Sequence, residues 1–296
     1  MASTLGFIGL GVMGEPMCRN LAQKSGMSVV GCDTRAAPLD RLAADGVARA
    51  ANAAAIAQRA DIIFLSLPGG DELGAICRGK DGLLAHARAG QIIIDLTTAP
   101  VGLTRELAAE FAARGVDYAD APVARTRQAA RDGTLSVMVG ATDAVFKRIE
   151  PLLGHIASDI THCGGVGCGQ MVKILNNMVL IETVVALSEA LSIARRAGLD
   201  GKVLFETLAK GSADSFALRN HGMKALLPNE FPLESFSTRY ARKDLSYALE
   251  LARDAQLGVR SAKLADELLA ATEQAGWTEH YWPAVIHAVT SPGSND

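Results

Sequence analysis

The stretch Leu5–Met17, LGFIGLGVMGEPM, places three glycines directly after a short apolar run and directly before a helical segment. Gly9, Gly11 and Gly14 match the pattern G-x-G-x-x-G. The first glycine suits a tight turn, the second suits close approach of the backbone to a pyrophosphate, and the third suits packing of the helix. The stretch therefore predicts a strand–turn–helix unit whose helix N-terminus binds a dinucleotide. Further contacts in this loop are predicted at Leu10, Val12 and Met13.

The second predicted strand ends at Asp33, where this fold needs an acid to bind the adenosine ribose hydroxyls. Asp33 favours NAD, because a carboxylate repels the 2′-phosphate of NADP. Arg35, two residues later, can bind that phosphate through its guanidinium. We expect Asp33, Thr34 and Arg35 to contact the cofactor, with NAD as the preferred dinucleotide and NADP left open.

The residue totals exclude several classes of protein. Among 296 residues, 29 are Lys or Arg and 32 are Asp or Glu, giving a formal net charge of −3. This balance argues against nucleic acid or an anionic membrane surface as the main partner. The five cysteines lack a Cys-x-x-Cys spacing and the six histidines do not cluster. We therefore expect no metal site and a reducing, cytoplasmic setting.

Two domains are predicted from the patterning. Residues 1–162 alternate short β-branched runs with alanine-rich helical segments, which favours a doubly wound, largely parallel α/β sheet of the Rossmann type. Residues 163–296 are predicted to form an all-α domain. Its first helix, from Gln170 to about Ala197, is apolar on nearly every side and is expected to be a buried spine between domains or subunits. The strands are predicted at Leu5–Ile8, Ser28–Cys32, Ile62–Ser66, Gln91–Leu96, Asp117–Ala119 and Leu135–Val139. The final residues, 291–296, are predicted to be a frayed tail.

Lys173 lies on this otherwise apolar helix. Asn176 and Asn177 fall within one turn of it and share its face. Glu182 and Glu189 fall roughly opposite and cannot be its helix partners. Such a lysine either pairs across an interface or acts as an acid/base group. The two neighbouring amides and the upstream dinucleotide loop favour catalysis.

A series of motifs in the expected order resembles the β-hydroxyacid dehydrogenase family, which includes 3-hydroxyisobutyrate dehydrogenase. The resemblance implies NAD(P)-dependent interconversion of a small hydroxyacid and its aldehyde by a homodimer or homotetramer. The motifs, after the glycine loop, are SLP (66–68), DLTT (95–98), DAPV (120–123), GTLSVMVG (133–140), GCGQMVKILNN (167–177) and ARKDL (241–245).

Individual roles follow from the resemblance. Lys173 would be the catalytic lysine, and Asn177 would orient the substrate beside it. Further cofactor contacts are implied at Leu67, Pro68, Thr98 and Lys243. Phe216, where relatives often carry an aromatic residue, would contact the substrate.

The stretch after DAPV departs from most relatives, which carry serine and glycine where this chain has Ala124, Arg125 and Thr126. The departure resembles the branch that reduces 3-sulfolactaldehyde to 2,3-dihydroxypropane-1-sulfonate. In that branch an arginine and an amide of the long helix bind the sulfonate. We therefore predict that Arg125, Thr126 and Asn176 bind the substrate anion, whereas Arg127 and Arg131 face solvent or the cofactor side. Leu180 and the segment 212–221 differ from that branch, so a carboxylate substrate stays open.

Two other functions are compatible with the fold. An imine reductase is disfavoured because those enzymes usually lack the lysine found here at position 173. A non-catalytic dinucleotide-binding module would be expected to lose that lysine and to carry an added reader domain, and this chain shows neither.

Overall fold

The computed structural model describes residues 3–290, so the predicted tail at 291–296 lies outside the described residues. A nine-stranded sheet has the order β3-β2-β1-β4-β5-β6-β8-β7, with β9 paired to β8. The strands from β1 to β6 are parallel, β8 is antiparallel to β6 and β7, and β9 is parallel to β8. The strands are β1 (Thr4–Ile8), β2 (Ser28–Cys32), β3 (Ala48–Arg49), β4 (Ile62–Leu65), β5 (Ile92–Asp95), β6 (Asp117–Asp120), β7 (Val123–Ala124), β8 (Leu135–Gly140) and β9 (Ala157–Gly164).

Helices cover both faces of this sheet. On β5, Ile92 and Ile94 join one buried cluster while Ile93 joins the other. This alternation follows from the two-residue period of a strand, and continuous Ile runs are typical of strands buried on both faces. The helices are α1 (Gly14–Lys24), α2 (Ala36–Ala43), α3 (Ala53–Arg59), α4 (Gly70–Arg78), α5 (Leu83–His86), α6 (Val101–Ala112), α7 (Arg127–Asp132) and α8 (Asp143–Leu153). The predicted doubly wound α/β class is confirmed.

The chain divides into two compact units, Met1–Lys173 and Ile174–Asp296. The division falls inside helix α9 (Cys168–Arg196), which contributes its first turns to the N-terminal unit. The domain boundary placed at residue 162 on sequence grounds stays a prediction.

Helix α9 is close to the predicted span of Gln170 to Ala197. In the single chain Val172, Leu175, Val179 and Ile193 are exposed, so burial of this helix between domains or subunits stays a prediction. An apolar pattern cannot distinguish a face covered by the same chain from one covered by something else. The helix is long and apolar enough to cross a membrane, with 44% of its most apolar window buried, but core helices of soluble proteins pass the same test.

The C-terminal unit is helical, as predicted. Helix α11 (Thr238–Asp254) packs on α12 (Arg260–Thr272), and Trp282 lies fully buried after them. The elements after α9 are α10 (Gly201–Leu208), a π-helical segment (Leu218–Leu226), α11 (Thr238–Asp254), α12 (Arg260–Thr272), a π-helical turn (Glu273–Trp277), a 3-10 turn (Trp282–Val285) and α13 (Ile286–Thr290).

Candidate active site

The glycine loop fits a dinucleotide pyrophosphate. Gly9 has φ 91° and packs so closely on the Ser66 carbonyl that any side chain would collide with it. Gly14, the first residue of α1, is pressed in the same way against the carbonyl of Gly9. A Cβ at Gly11 would meet nothing within 4 Å, so the loop is open where a pyrophosphate must approach the backbone. Around it, Val12 is exposed, whereas Leu10 is buried and both of its backbone polar groups are hydrogen-bonded, the N–H to Asp33 and the carbonyl to Arg35.

Asp33 is hydrogen-bonded to this loop. Its Oδ2 accepts a 2.6 Å hydrogen bond from the Leu10 backbone N–H, and its Oδ1 accepts a 2.8 Å bond from the Arg35 N–H. Burial acts to raise the pKa of Asp33, but the hydrogen bonds from Arg35 and Leu10 outweigh it and hold the pKa below its usual value. Thr34 and Arg35 are exposed beside it.

The turns after β4 and β5 are held by Gln170. Its Nε2 donates to the Thr97 carbonyl at 2.6 Å, and its Oε1 accepts from the Ala99 N–H at 3.1 Å. The Thr97 hydroxyl in turn accepts from the Leu67 N–H at 3.1 Å. The candidate cofactor residues Leu67, Pro68 and Thr98 therefore lie on two adjacent turns at the carboxyl ends of the strands, where α/β sheets bind ligands.

Asp120 connects the sheet to helix α9, a role that the sequence did not reveal. Its two oxygens accept hydrogen bonds from the Gly167 N–H at 2.7 Å and the Gln170 N–H at 2.8 Å, so it caps the start of the helix. Burial raises the pKa of Asp120 to about 6 despite these bonds. The only sequence signal was an acid at a strand end in the DAPV motif, which gives no information on its distant partners.

A cluster of polar side chains joins α9 to α11 inside the C-terminal unit. Asn177, one turn after Lys173 on α9, donates from Nδ2 to Asp244 Oδ2 at 2.6 Å. Its Oδ1 accepts from Asn176 Nδ2 at 3.1 Å. Lys243 Nζ lies 2.9 Å from Asp244 Oδ1 as an ion pair, without the angle of a hydrogen bond. The nitrogen and the oxygen of the Asn177 side-chain amide therefore each make a hydrogen bond, and these two bonds fix the orientation of the amide.

The predicted substrate residues after DAPV have partners within the N-terminal unit. Arg125 Nη1 donates to the Thr134 carbonyl at 2.7 Å and to Ser158 Oγ at 2.8 Å, and its Nη2 lies 2.7 Å from Asp159 Oδ2. Its backbone has φ 85°, a conformation that favours glycine. The Thr126 hydroxyl caps α7 by accepting from the Ala129 N–H at 3.3 Å. The guanidinium is therefore already engaged, and its role toward an anion stays a prediction.

Phe216 is exposed and meets His221 edge-on, with ring centroids 6.3 Å apart. His221 Nδ1 lies 2.6 Å from the Tyr281 hydroxyl. Burial lowers the pKa of His221 to about 4, so the ring is neutral near pH 7. The pair of His221 and Tyr281 could not be predicted, because the two residues are far apart along the chain.

The glycine loop, the turns at the carboxyl edge and the adjoining helix define a dinucleotide-dependent oxidoreductase. Two family models match: the NAD binding domain of 6-phosphogluconate dehydrogenase over residues 4–165, and the NAD-binding region of NADP-dependent 3-hydroxyisobutyrate dehydrogenase over residues 167–288. The chain belongs to the β-hydroxyacid dehydrogenase family. It is an NAD(P)-dependent oxidoreductase, so the alternative of a non-catalytic module is excluded.

Relatives match over nearly the whole chain. The 2-(hydroxymethyl)glutarate dehydrogenase of Eubacterium barkeri is 34% identical over 95% of this chain and 93% of its own length. The 2-hydroxy-3-oxopropionate reductase of Escherichia coli is 33% identical over 96% of each. Among solved structures, 3-hydroxyisobutyrate dehydrogenase of Mycobacterium tuberculosis with L-serine is 31% identical, with a TM-score of 0.88 over 98% of this chain and 100% of that one. These relatives confirm the hydroxyacid dehydrogenase class.

Proposed function

We propose that the enzyme interconverts a short anionic β-hydroxyacid and its semialdehyde, with Lys173 exchanging the proton of the reacting oxygen. The observation that carries this proposal is the fixed Asn177 amide, one turn from Lys173 and held by Asp244. Residues four apart on a helix lie on the same face, so a substrate held by Asn177 lies within reach of Lys173. The nicotinamide dinucleotide, when bound, supplies or accepts the hydride.

In the reductive direction, Lys173 donates a proton to the oxygen on which negative charge develops, and in the oxidative direction it removes that proton. Asn177 limits the positions that this oxygen can occupy, because its amide cannot rotate without breaking the bond to Asp244. Thr98 and Lys243 are proposed to lie by the nicotinamide end, and Leu67 and Pro68 by the adenosine end.

The nature of the substrate anion is a finer proposal. The names of the relatives above point to carboxylated substrates, and the Arg125 guanidinium is already paired with Asp159. We therefore favour a carboxylated semialdehyde. The second candidate is 3-sulfolactaldehyde, which is favoured by the arginine at a substrate loop where relatives carry glycine. A forked guanidinium binds either anion, so Arg125 alone does not distinguish them.

A panel of aldehydes tests both levels of the proposal. Initial rates of NADH and NADPH oxidation are measured with succinic semialdehyde, tartronate semialdehyde, methylmalonate semialdehyde and 3-sulfolactaldehyde. We expect the highest kcat/KM with a carboxylated member. A preference for 3-sulfolactaldehyde would reject the carboxylate but keep the anionic semialdehyde, whereas turnover of none of them would contradict the proposal as a whole.

We also propose that α9 packs on a second copy of the chain. Its exposed positions Val172, Val179, Ala186 and Ile193 recur every seven residues, the spacing that places side chains on one stripe facing another helix. Light scattering should give the mass of a dimer or tetramer. Val179→Asp should weaken this self-association, whereas Val203→Asp, at an exposed valine of α10, should not. A wild-type monomer would contradict this proposal.

The five free cysteines support a reducing, cytoplasmic location.

A further inference from the structure

The side-chain amide of Gln170 holds the turn after β5 on both sides of Thr98. The Thr97 carbonyl, which belongs to the peptide group before Thr98, accepts a hydrogen bond from Gln170 Nε2 at 2.6 Å. The Ala99 N–H, in the peptide group after Thr98, donates to Gln170 Oε1 at 3.1 Å. Thr98 can therefore move only if these buried hydrogen bonds break, and each broken bond leaves a buried polar group without a partner.

Thr97 fixes the inner side of the same turn. Its N–H donates to Asp95 Oδ1 at 3.0 Å, and its hydroxyl accepts from the Leu67 N–H at 3.1 Å. Together with the bond from Gln170 to its carbonyl, these bonds engage the N–H, the carbonyl and the hydroxyl of Thr97. Thr98 is half-buried, whereas the residues on either side of it are buried, so Thr98 is the residue of this turn that a ligand can reach.

The backbone of Gln170 is bonded to the neighbouring strand. Its N–H donates to Asp120 Oδ2 at 2.8 Å, while the Gly167 N–H donates to Asp120 Oδ1 at 2.7 Å. Asp95 and Asp120 are paired at the carboxyl ends of β5 and β6. The first turn of α9 is therefore bonded to two adjacent strand ends, by the side chain of Gln170 at one and by its backbone at the other.

Lys173 lies on the same face of α9 as Gln170. Residues three apart on a helix are neighbours, and the rise between them is about 4.5 Å. Both residues belong to the compact unit Met1–Lys173, as does Thr98. The amide of Gln170 therefore connects the helix turn that carries Lys173 with the strand turn that carries Thr98.

We infer that Gln170 is a positioning residue for the reaction, because it sets the position of Thr98, and of the nicotinamide end beside it, relative to Lys173. The hydride reaches the carbonyl carbon of the substrate and the proton of Lys173 reaches the carbonyl oxygen, so both groups must meet one carbonyl. A displacement of about 1 Å between reacting groups slows a reaction by about 10²-fold. Gln170 itself is fully buried and acts only through the two turns that it connects. This inference deepens the proposed function and rests on it for the roles of Lys173 and Thr98.

Gln91 provides a matched control at the opposite end of the same strand. It directly precedes β5 and is 3% exposed. Its amide nitrogen donates to the Ala57 and Ala60 carbonyls, and its amide oxygen accepts from the Arg88 N–H. Gln91→Met therefore removes at least as many hydrogen bonds as Gln170→Met, but at the edge of the sheet away from the candidate ligand turns.

Steady-state kinetics of the full-length variants test the inference, with the member of the aldehyde panel that the wild-type enzyme turns over best. We expect Gln170→Met to lower kcat by about 10–10²-fold. The KM for the reduced dinucleotide should stay within about threefold in this variant, and Gln91→Met should keep kcat within about twofold of wild type. With reduced dinucleotide deuterated at the transferred hydrogen, the isotope effect on kcat should rise in Gln170→Met alone, because hydride transfer becomes slower.

Denaturation curves of the two methionine variants show whether they lose comparable stability. A Gln170→Met enzyme with a kcat no lower than that of Gln91→Met would overturn the inference. Combined with an inactive Lys173→Ala enzyme, this result would reject the role of Gln170 and leave the proposed function intact. Turnover of no panel aldehyde by the wild-type enzyme would overturn both.

Gln170→Glu provides a second test should the methionine variant unfold. A protonated carboxyl group has one O–H donor and a carbonyl acceptor, as the amide has a donor and an acceptor, whereas an ionised carboxylate only accepts. The ratio of kcat in this variant to kcat in wild type should therefore rise as the pH falls. Asp95 and Asp120 lie next to this position in both enzymes, so the wild-type enzyme measured at each pH accounts for them. A ratio that is below one and does not rise as the pH falls would overturn the inference.

Discussion

Asn177 Nδ2 donates a 2.6 Å hydrogen bond to Asp244 Oδ2, and both residues are buried. Replacement of Asp244 by alanine leaves a buried amide N–H without its acceptor, which costs about 1–3 kcal/mol of stability. We expect Asp244→Ala to lower kcat by about tenfold or more with a smaller change in KM, since the amide loses its fixed orientation.

Asp244→Asn provides the control for this prediction. Its side-chain oxygen can still accept from Asn177, so it should recover most of the stability and part of kcat. Steady-state kinetics and chemical denaturation of the two variants check this. An Asp244→Ala enzyme with wild-type kcat would show that Asn177 needs no fixed orientation.

The structure of the glycine loop predicts that adding one methyl group at Gly9 lowers stability, whereas adding one at Gly11 does not. Gly9→Ala forces a side chain onto a backbone with φ 91° and against the Ser66 carbonyl, so it should cost at least about 1–3 kcal/mol of stability. Gly11→Ala meets open space, so its free energy of unfolding should stay within about 0.5 kcal/mol of wild type.

The substitution at Gly11 should change cofactor affinity although it leaves stability nearly unchanged. Gly11→Ala is expected to weaken dinucleotide binding by about tenfold or more, equal to about 1.4 kcal/mol, because the methyl group occupies the side that a pyrophosphate approaches. Denaturation curves and calorimetric titration give the two quantities. A Gly11→Ala protein with unchanged affinity would place the pyrophosphate elsewhere.

The glycine loop, most strands and the long helix were predictable from the sequence because each is coded locally. β2 (Ser28–Cys32) was predicted with its observed bounds, and α9 was within two residues of its predicted start. The short β3 and β7 were not predicted, since two residues carry too little pattern. β9 (Ala157–Gly164) was missed because its sequence ASDITHCG is largely polar and its residues are mostly not buried.

The partners of the site residues could not be predicted, because they depend on contacts between distant parts of the chain. Asp120 and Gln170 are joined only by folding, and so are Asn177 and Asp244. The contact predicted between Asp33 and the adenosine ribose stays a prediction, and the burial of Asp33 beneath Arg35 has no sequence signature.

Arg125 and Asp159 give a pair of predictions with opposite signs. If Arg125 binds the substrate anion, Arg125→Ala should raise KM by a factor equivalent to about 2–4 kcal/mol. Asp159→Ala should lower KM, because it removes the carboxylate that competes for the guanidinium at 2.7 Å. Arg127→Ala is the matched control, because Arg127 is an exposed arginine two residues further on, at the start of α7. An unchanged KM in Arg125→Ala would make Arg125 a structural tie between this loop and β9.

Asp95 should make stability depend on pH. It is fully buried and accepts a 3.0 Å hydrogen bond from the Tyr118 hydroxyl, and burial raises its pKa from 3.8 to about 7. The folded protein therefore holds a proton on Asp95 that the unfolded chain releases, so stability is lost as the pH rises from about 4 through about 7. Asp95→Asn should lose less stability over this range in denaturation curves. A wild-type curve parallel to that of the variant would show that Asp95 is ionised throughout.

Lys173 is predicted to carry the proton transfer. Lys173→Ala should lower kcat by about 10²–10⁴-fold, the range for loss of a general acid/base. Dinucleotide affinity should not change. Lys202→Ala removes an exposed lysine that faces Glu206 on α10 and should have no effect on either quantity.

The most direct measurement is turnover of the preferred semialdehyde by Lys173→Ala with and without added small primary amines. We expect the variant to be nearly inactive and to regain part of its rate as the amine concentration rises, because the amine supplies the missing proton donor. Turnover comparable to wild type without amine would contradict the assignment of Lys173, and with it the proposed mechanism.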